Sequence, residues 1–296
     1  VGASPAVRLL GEEIRKIAPS DLPVSIYGET GTGKEKIAEA VHHFSSRSRQ
    51  ALVPFNAASL SDELFESQLF GHVRGSFTGA HEDRSGLVEA ARGGTLFIDE
   101  IADLSSRAQV GLLRFIEQGT YRRLGDARER RADVRIVVAA NRRLEDLVAT
   151  GHFRQDLLER IKGFCVSVPP LRDRGRDIIR LARCFLARAS GGTRRLSAHS
   201  EAELREHAWP GNVRELQMEM RRAVVLTDSP VVEWRRPKAA PDRAAAATAL
   251  PGSAEASASL QEVVGGFERR HLKSVLSQCA ARVEAARILG ISRQAL

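Results

Sequence analysis

Residues 28–35 read GETGTGKE and directly follow the apolar run VSIY at residues 24–27. Gly28, Gly33 and Lys34 stand at the spacing of a phosphate-binding loop, in which glycines let backbone amides surround a phosphate and the lysine reaches its outer oxygens. The helix predicted to open at Lys34 adds partial positive charge at its N-terminus. A glycine-rich turn that holds no ligand is the alternative. The loop residues predicted to contact a nucleotide are Gly28, Glu29, Thr30, Gly31, Thr32, Gly33, Lys34 and Glu35.

An acidic pair follows a second apolar run, in GGTLFIDE at residues 93–100. Because a parallel sheet presents its ligands at the carboxyl ends of its strands, Asp99 and Glu100 are expected at the same edge as the loop. Asp99 is suited to hold Mg²⁺ through water, and Glu100 to orient and activate an attacking water. Glu35 occupies the position where a Ser or Thr hydroxyl commonly meets the metal. Paired acids at a strand end also cap helices, but together with the loop they predict an ATPase that uses ATP and Mg²⁺.

Short β-branched runs alternate with helical patterns along the first 170 residues. Strands are predicted at residues 24–28, 53–56, 95–99, 134–140 and 165–168. The intervening helices bury one face each, which should include Ile37, Ala38, Val41 and Phe44 in the first and Val110, Leu113 and Ile116 in a later one. This alternation predicts an α/β fold with a parallel sheet covered by helices on both faces. After residue 170 only helical patterns remain, near residues 176–189, 197–207 and 212–226.

The bulk properties of the 296-residue chain suit a multidomain globular protein. An α/β core is expected at residues 1–170, a small all-helical domain at 171–233, a flexible Ala/Pro/Ser-rich linker at 234–259 and a further helical segment at 260–296. The net charge of +8 is compatible with a polyanionic partner. The three cysteines lack metal-site or disulfide spacing, and no apolar run is long enough to span a membrane, so we expect a cytoplasmic protein. Because the sequence lacks an initiator Met and stops within a predicted helix, we expect a fragment at both ends.

Six motifs in this order and spacing resemble the AAA+ central domain of sigma-54-dependent transcriptional activators, the bacterial enhancer-binding proteins. They are GETGTGKE, GSFTGA at residues 75–80, GGTLFIDE, FRQDLLER at 153–160, PPLRDR at 169–174 and WPGNVREL at 209–216. The resemblance covers residues 1 to about 233, and GSFTGA is its most specific element. The segment AARVEAARILGISRQAL at residues 280–296 resembles the family's Fis-type helix-turn-helix, although Ala280, Ala281 and Arg282 stand where the family often has Gly-Gly-Asn. A plain helical hairpin for dimerisation is the alternative for that segment.

The resemblance implies roles for residues that spacing alone leaves open. Lys34 is similar to the Walker A lysine, and Asp99 and Glu100 to the Walker B pair. Asn56 is similar to the asparagine that holds the catalytic glutamate and couples nucleotide state to the GSFTGA loop. Asn141 is similar to the sensor I asparagine, with Ala140 where Thr is usual.

Three arginines also receive roles from the resemblance. Arg154 and Arg160 are similar to the pair that reaches the phosphates of a neighbouring subunit, although their spacing alone favours a solvated helix face. Arg214 is similar to the sensor II arginine, for which an ordinary surface or capping arginine is the alternative.

The GSFTGA stretch places Phe77 between glycines, where the neighbouring sequence offers little to pack against. By resemblance, Phe77 and Thr78 contact the sigma factor, and Ser76 stands where the family usually has Ala. The alternative is that Phe77 folds back into its own domain as a small satellite core.

These features together predict an ATP-hydrolysing transcriptional activator that forms a homo-oligomeric ring, expected to be a hexamer. Its expected partners are the sigma-54 RNA polymerase holoenzyme and, through the helix-turn-helix, enhancer DNA, and its activity is expected to respond to a signal, for example through a two-component system. Two alternatives stay open: a generic AAA+ unfoldase or helicase motor, and a regulator that binds nucleotide and DNA but remodels nothing.

Overall fold

A computed structural model of the chain describes residues 2–58 and 61–235. Its central sheet contains the five strands that the sequence predicts. They are β1 (Val24–Tyr27), β2 (Leu52–Asn56), β3 (Thr95–Asp99), β4 (Arg135–Ala140) and β5 (Phe164–Ser167). The predicted helix-turn-helix segment and all but the first two residues of the predicted linker lie outside the described residues.

The five strands are parallel and lie in the order β2-β3-β4-β1-β5. Alternate residues of a strand face opposite sides of the sheet, and in β3 Leu96 and Ile98 pack into one hydrophobic core while Phe97 packs into the other. Both faces are therefore buried, as expected for a parallel sheet. The order places β3 and β1, which carry the acidic pair and the glycine-rich loop, on either side of β4.

Helices cover both faces of the sheet and build the second domain. They are α1 (Pro5–Ile17), α2 (Lys34–His43), α3 (Asp62–Phe70), α4 (Leu87–Ala90), α5 (Ser106–Gln118), α6 (Leu144–Ala149), α7 (Gln155–Ile161), α8 (Arg176–Ser190), α9 (Ala198–Glu206) and α10 (Asn212–Leu226). Single 3-10 turns lie at Ile101–Asp103 and Leu171–Arg174. Two-residue strand pairs join Gly71–His72 to Arg84–Ser85, Thr120–Tyr121 to Arg130–Arg131, and Arg195–Leu196 to Val231–Val232.

The predicted buried faces of two helices need correction. In α2, Ile37, Ala38 and Val41 are buried as expected, but Phe44 is 43% exposed because the helix has already ended at His43. In α5, Leu113 is buried, whereas the predicted partners at positions 110 and 116 are only partly covered. The buried face of α5 is centred on Ala108, Leu112 and Phe115. The predicted apolar face was therefore displaced around the helix towards solvent.

The second domain contains the three predicted helices α8, α9 and α10 around its own apolar core. Trp209 lies at the centre of this core, is fully buried, and donates its indole N–H to the carbonyl oxygen of Leu204 at 2.9 Å. The described residues belong to one of the two compact units into which the chain divides. The α/β fold with a small, mainly helical second domain is therefore confirmed, but the second domain is not all-helical, because Arg195–Leu196 pairs with Val231–Val232. Within the described ranges, no helix is both long and apolar enough to cross a membrane.

We expect Leu112→Ala to lower the free energy of unfolding by about 2–5 kcal/mol, because Leu112 is fully buried and its truncation leaves a cavity in the larger core. Leu226→Ala makes the same chemical change on a side chain that is 73% exposed, and should cost less than about 0.5 kcal/mol. Urea denaturation of both variants measures the difference. Equal losses would contradict the assignment of Leu112 to the core.

Candidate nucleotide-binding site

The glycine-rich loop connects β1 to α2 by a backbone path that requires glycine at two positions. Gly31 and Gly33 have φ values of +78° and +94°, which L side chains rarely adopt. A Cβ on Gly31 would also lie 2.4 Å from the carbonyl oxygen of Gly211 in the helical domain. The loop therefore has its shape because glycine permits the turn and because another part of the chain passes close by.

Lys34 begins α2 and lies under the loop, with only 8% of its surface exposed. Its ammonium donates to the carbonyl oxygen of Gly28 at 2.9 Å and, more weakly, to that of Glu29 at 3.4 Å. Burial lowers the pKa of Lys34, whereas the nearby carboxylates of Asp99 and Glu100 act to raise it. A phosphate that entered the loop would offer this buried cation stronger acceptors than two carbonyls.

The acidic pair lies at the end of β3, at the same edge of the sheet as the loop. The backbone N–H of Glu100 donates to Oδ1 of Asp99 at 3.0 Å, and Glu100 has a φ of +56°. Positive φ in a residue other than glycine is uncommon and is concentrated at functional positions. Asp99, Glu100 and Lys34 all line one cavity, as their placement at strand ends predicted.

This cavity has a volume of about 660 Å³, which is within the usual range for small-molecule sites. One part of its wall is apolar, with Val7, Leu10, Leu181, Phe185 and Val213. Another part is strongly basic, with Lys34, Lys36, Arg174, Arg180, Arg188 and Arg214. An apolar wall beside a cationic wall suits a ligand that combines a flat base with phosphates.

The N-terminal stretch supplies part of the cavity wall, and Asp177 of α8 holds it in place. Asp177 is 1% exposed, and its carboxylate accepts from the backbone N–H of Ala3 at 2.6 Å and of Ser4 at 3.1 Å. Burial acts to raise the pKa of Asp177, but these hydrogen bonds prevail and lower it. Gly2 lines the cavity, and a Cβ there would lie 2.3 Å from Oδ2 of Asp177.

The donor set of this site fits Mg²⁺ only when a nucleotide is bound. Mg²⁺ keeps several waters and is usually held by one or two carboxylates plus substrate phosphates, and Asp99 and Glu100 offer such carboxylates beside the loop. Among the residues that the structure describes, no group of three or more His, Cys, Asp or Glu side chains could form a metal site by itself. Asp99 is the residue suited to hold the ion.

Gly28 and Glu29 are the two predicted loop residues that do not line the cavity. The side chain of Glu29 contacts the helical domain instead. Its carboxylate accepts from Arg172 at 2.6 and 3.0 Å and from the side-chain amide of Asn212 at 3.0 Å. Hydrogen bonds from Arg172 and Asn212 lower the pKa of Glu29 to about 2. Residues 30–35 line the cavity, whereas the side chain of Glu29 is committed to the helical domain.

Asn56 and Asn141 lie at strand ends near the acidic pair but do not line the cavity. Asn56 is in register with Asp99 on the neighbouring strand, and its side-chain oxygen accepts from the backbone N–H of Ala58 at 2.8 Å. Asn141 directly follows β4 and is exposed. The structure thus places both near the ends of the strands, and their roles stay predictions.

Arg154 and Arg160 lie on the surface, outside the cavity wall. Arg154 pairs with Asp156 at 2.6 Å, and Arg160 pairs with Glu117 at 2.9 Å. Their side chains are 45% and 58% exposed. The structure therefore does not bring them to the loop of their own chain.

The helical domain contributes more to the site than the sequence predicted. Arg214, the one helical-domain residue predicted for the site, lines the cavity from the first turn of α10. Arg174 also lines the cavity and donates to the carbonyl oxygen of Thr32 at 2.8 Å. Arg172 and Asn212 were missed, although both stand in motifs that the sequence analysis singled out. The sequence signal that could have identified them is that both are polar residues within these motifs.

The GSFTGA loop forms a tight local turn on a different part of the core. Gly75 and Gly79 have φ values of +80° and +103°, and the backbone N–H of Gly75 donates to the carbonyl oxygen of Ala80 at 2.9 Å. Phe77 is partly buried, with its ring edge-on to His72 at a centroid distance of 5.1 Å, whereas Thr78 is exposed. The expectation that Phe77 has little to pack against nearby needs correction, because the turn returns its ring to His72 and leaves it partly buried.

Comparisons with known proteins assign this chain to a family. A family model described as the Sigma-54 interaction domain matches residues 1–167, and one described as the AAA+ ATPase lid domain matches residues 172–248. The anaerobic nitric oxide reductase transcription regulator NorR of Enterobacter sp. (strain 638) is 45% identical over 94% of this chain and 57% of its own length. The transcriptional regulatory protein ZraR of Klebsiella oxytoca is 42% identical over 100% of this chain and 67% of its own length.

A solved structure agrees with these sequence matches. The crystal structure of NtrX from Brucella abortus in complex with ATP has a TM-score of 0.74 and 32% sequence identity, and the match covers 100% of this chain and 67% of that chain. The chain spans about half the length of some curated relatives, such as 57% of NorR and 45% of the Nif-specific regulatory protein of Klebsiella pneumoniae. With its parallel-sheet core, glycine-rich loop and helical lid, the chain belongs to the sigma-54 interaction family of AAA+ proteins, that of the sigma-54-dependent transcriptional activators.

Proposed function

We propose that this chain is the ATP-hydrolysing part of a bacterial transcriptional activator that remodels sigma-54 RNA polymerase holoenzyme, so that promoter DNA opens. One observation carries the proposal. Lys34, Asp99 and Glu100 of the core and Arg214 of the lid line a single cavity of about 660 Å³. This arrangement supplies a phosphate ligand, a carboxylate for the metal, a base for water and a second cation from a separate domain.

The proposed reaction is attack of water on the γ-phosphorus of ATP. The water oxygen forms the new bond to phosphorus, the bond between phosphorus and the ADP oxygen breaks, and Glu100 accepts the proton. Lys34 exchanges its carbonyl partners for phosphate oxygens, and Arg214 approaches the phosphates from the lid. Asp99 and the phosphates would hold Mg²⁺, which would neutralise developing charge.

A ring of identical subunits, proposed to be a hexamer, completes the site. Arg154 and Arg160 lie outside the cavity of their own chain and are exposed, as residues acting on a neighbour must be. Each is held in a surface ion pair, which contributes about 0–1 kcal/mol and can be exchanged for phosphate. We propose that both approach the nucleotide of the adjacent subunit and stabilise the transferred charge.

The GSFTGA turn is proposed to contact sigma-54 through Phe77 and Thr78. Phe77 is only partly covered by His72, so apolar surface remains for a partner to bury. Asn56, in register with Asp99, is proposed to transmit nucleotide state from the acidic pair towards this turn. Asn141 is proposed to sense the nucleotide at the end of β4.

The remaining parts of the proposal concern the domain boundaries, the DNA partner and the cellular setting. The domain division at 1–170, 171–233, 234–259 and 260–296 is retained as a proposal, with enhancer DNA as the partner of the last segment. The names of the relatives describe transcription regulators, and the NtrX structure is described as a complex with ATP, which supports this setting. A signal-responsive role in the bacterial cytoplasm completes it.

The first prediction separates nucleotide binding from turnover. Lys34→Ala should abolish ATP binding, because its buried ammonium is the loop's phosphate ligand. Glu100→Gln should retain ATP binding and lower turnover by about 10²–10⁴-fold through loss of the base. Binding of a fluorescent ATP analogue and steady-state phosphate release measure the two effects. Lys162→Ala, which removes an exposed lysine paired with Glu145, is the control. Wild-type affinity in Lys34→Ala would contradict the assignment.

The second prediction tests assembly by complementation. Neither Arg160→Ala nor Glu100→Gln subunits should hydrolyse ATP well alone. Mixed, they should recover part of the activity, since an Arg160→Ala subunit retains its base and receives an arginine from its Glu100→Gln neighbour. Phosphate release against mixing ratio measures this, together with wild-type activity against protein concentration. Activity per subunit that stays constant down to the monomer would contradict action between subunits.

The third prediction distinguishes remodelling from the two alternative functions. Phe77→Ala or Thr78→Ala should leave ATP hydrolysis nearly unchanged, because neither residue lines the cavity, but should abolish sigma-54 binding with a transition-state analogue and promoter opening. Phe44→Ala removes a partly exposed phenylalanine elsewhere and should leave both unchanged. A strongly lowered melting temperature with normal promoter opening in Phe77→Ala would instead make Phe77 a core residue.

A further inference from the structure

The outer side of the glycine-rich loop is held by the lid at four successive residues. Each contact joins a polar group of the loop to a residue of α10 or of the 3-10 turn Leu171–Arg174, here called the junction. The contacts are Arg172 to the carboxylate of Glu29 at 2.6 Å, Asn212 to the carbonyl oxygen of Thr30 at 3.1 Å, the N–H of Val213 to the carbonyl oxygen of Gly31 at 2.9 Å, and Arg174 to the carbonyl oxygen of Thr32 at 2.8 Å. The loop is therefore fixed from outside by a domain that also lines the cavity inside.

Asn212 is the centre of this contact. It is fully buried, and its φ of +54° is a conformation that Asn tolerates better than most residues. Its side-chain oxygen accepts from the N–H of Leu171 at 2.8 Å, while its amide nitrogen donates to Oε2 of Glu29 and to the carbonyl oxygen of Thr30. One amide thus joins the junction, the loop and the start of α10.

The charge of Glu29 is compensated by this contact. A free carboxylate beside bound phosphates would repel them. Here Arg172 makes two hydrogen bonds to Glu29, and Asn212 donates a third to the same carboxylate. The contact therefore removes an electrostatic obstacle to phosphate binding and depends on the lid being in place.

The same contact determines where Arg214 lies. Arg214 follows Asn212 by two residues in the first turn of α10, and the carbonyl oxygen of Gly211 lies so close to Gly31 that a Cβ there would be 2.4 Å away. The lid cannot swing away from the loop while the amide of Asn212 remains bonded to Glu29 and Thr30. Opening of the lid and disengagement of Arg214 must accompany loss of these bonds.

We propose that Asn212 and Arg172 form a latch on Glu29 that keeps the lid closed over the nucleotide and so determines how long ADP stays bound. Both act as positioning residues, through the loop and through Arg214, and the proposal rests on the nucleotide-binding function proposed above. Neither Arg172 nor Asn212 is among the residues that line the cavity. Breaking the latch should therefore accelerate nucleotide release more than it changes the chemical step.

The test measures release of a fluorescent ADP analogue by stopped-flow chase, beside kcat and KM for ATP. Asn212→Asp retains an acceptor for Leu171 but replaces the donor to Glu29 by a second carboxylate, and should accelerate release about tenfold or more. Arg172→Ala removes the exposed ion pair and should accelerate release roughly two- to fivefold. KM should rise in both variants, and kcat should fall by a smaller factor than the release rate rises, because Arg214 is positioned through the same contact.

A matched control and a rescue separate the latch from general damage to the lid. Arg183→Ala removes an arginine of α8 that pairs with Glu201 at 2.6 Å and is 65% exposed, and it should not change ADP release. In the double variant Glu29→Gln with Asn212→Asp, position 29 supplies the donor and position 212 the acceptor. The pair again carries one negative charge. It should recover part of the slow release that Asn212→Asp loses.

The outcomes distinguish failure of the latch from failure of the proposed function. If the wild-type chain binds no nucleotide, the proposed function itself fails. If it binds and releases ADP normally, but Asn212→Asp and Arg172→Ala release ADP like Arg183→Ala, the latch is wrong. An Asn212→Asp variant that does not fold leaves Arg172→Ala, whose substitution is on the surface, to decide. Absence of any recovery in the double variant would also overturn the pairing of Glu29 with Asn212.

Discussion

The turn between β1 and α2 is the constraint on which the rest of this structure depends. Within three residues the backbone twice adopts a left-handed conformation, at Gly31 and Gly33, while the carbonyl oxygen of Gly211 lies against it. At Gly31 a side chain would be strained by φ and obstructed by the neighbouring backbone, whereas at Gly33 the φ value alone favours glycine. The turn brings Lys34 under the loop and aligns it with the acidic end of β3. The lid, in turn, has to match the outer surface of this turn.

The electrostatics of the site follow from how each charge is compensated. Lys34 is buried and has only carbonyl oxygens as direct partners, with two carboxylates nearby, so it is the cation that gains most from a phosphate. Glu29 is the opposite case, since Arg172 and Asn212 already satisfy it. The side chains of Arg154 and Arg160 form ion pairs with exposed carboxylates, and breaking these pairs costs little free energy. A charged residue is therefore more easily drawn to a new partner when its present partners compensate its charge poorly.

Features set by short sequence motifs were predictable, whereas features that depend on where a helix ends, on the path of a turn or on distant contacts were not. The five strands, the loop and the acidic pair follow from apolar runs and from motifs of a few residues. The error at Phe44 arose because periodicity does not show where a helix ends. The error at Phe77 arose because its partner His72 becomes a neighbour only once the turn forms. Asn212 and Glu29 are 183 positions apart, so no local pattern could pair them. Local chemistry thus predicts which residues enter the site, whereas tertiary packing decides which of them turn away from it.

The hydrogen bonds from the backbone of Ala3 and Ser4 to Asp177 have a mechanical consequence. These residues lead directly from Gly2, which lines the cavity, into α1, whose Val7 and Leu10 line it as well. Any polypeptide joined ahead of Gly2 would be tethered to that wall without intervening slack. Tension or rotation in such a tether would reach the cavity before it reached the sheet, and a longer, looser tether would insulate the cavity from it. The stiffness of the connection, as much as the identity of what is attached, would then determine how strongly an upstream event is felt at the nucleotide.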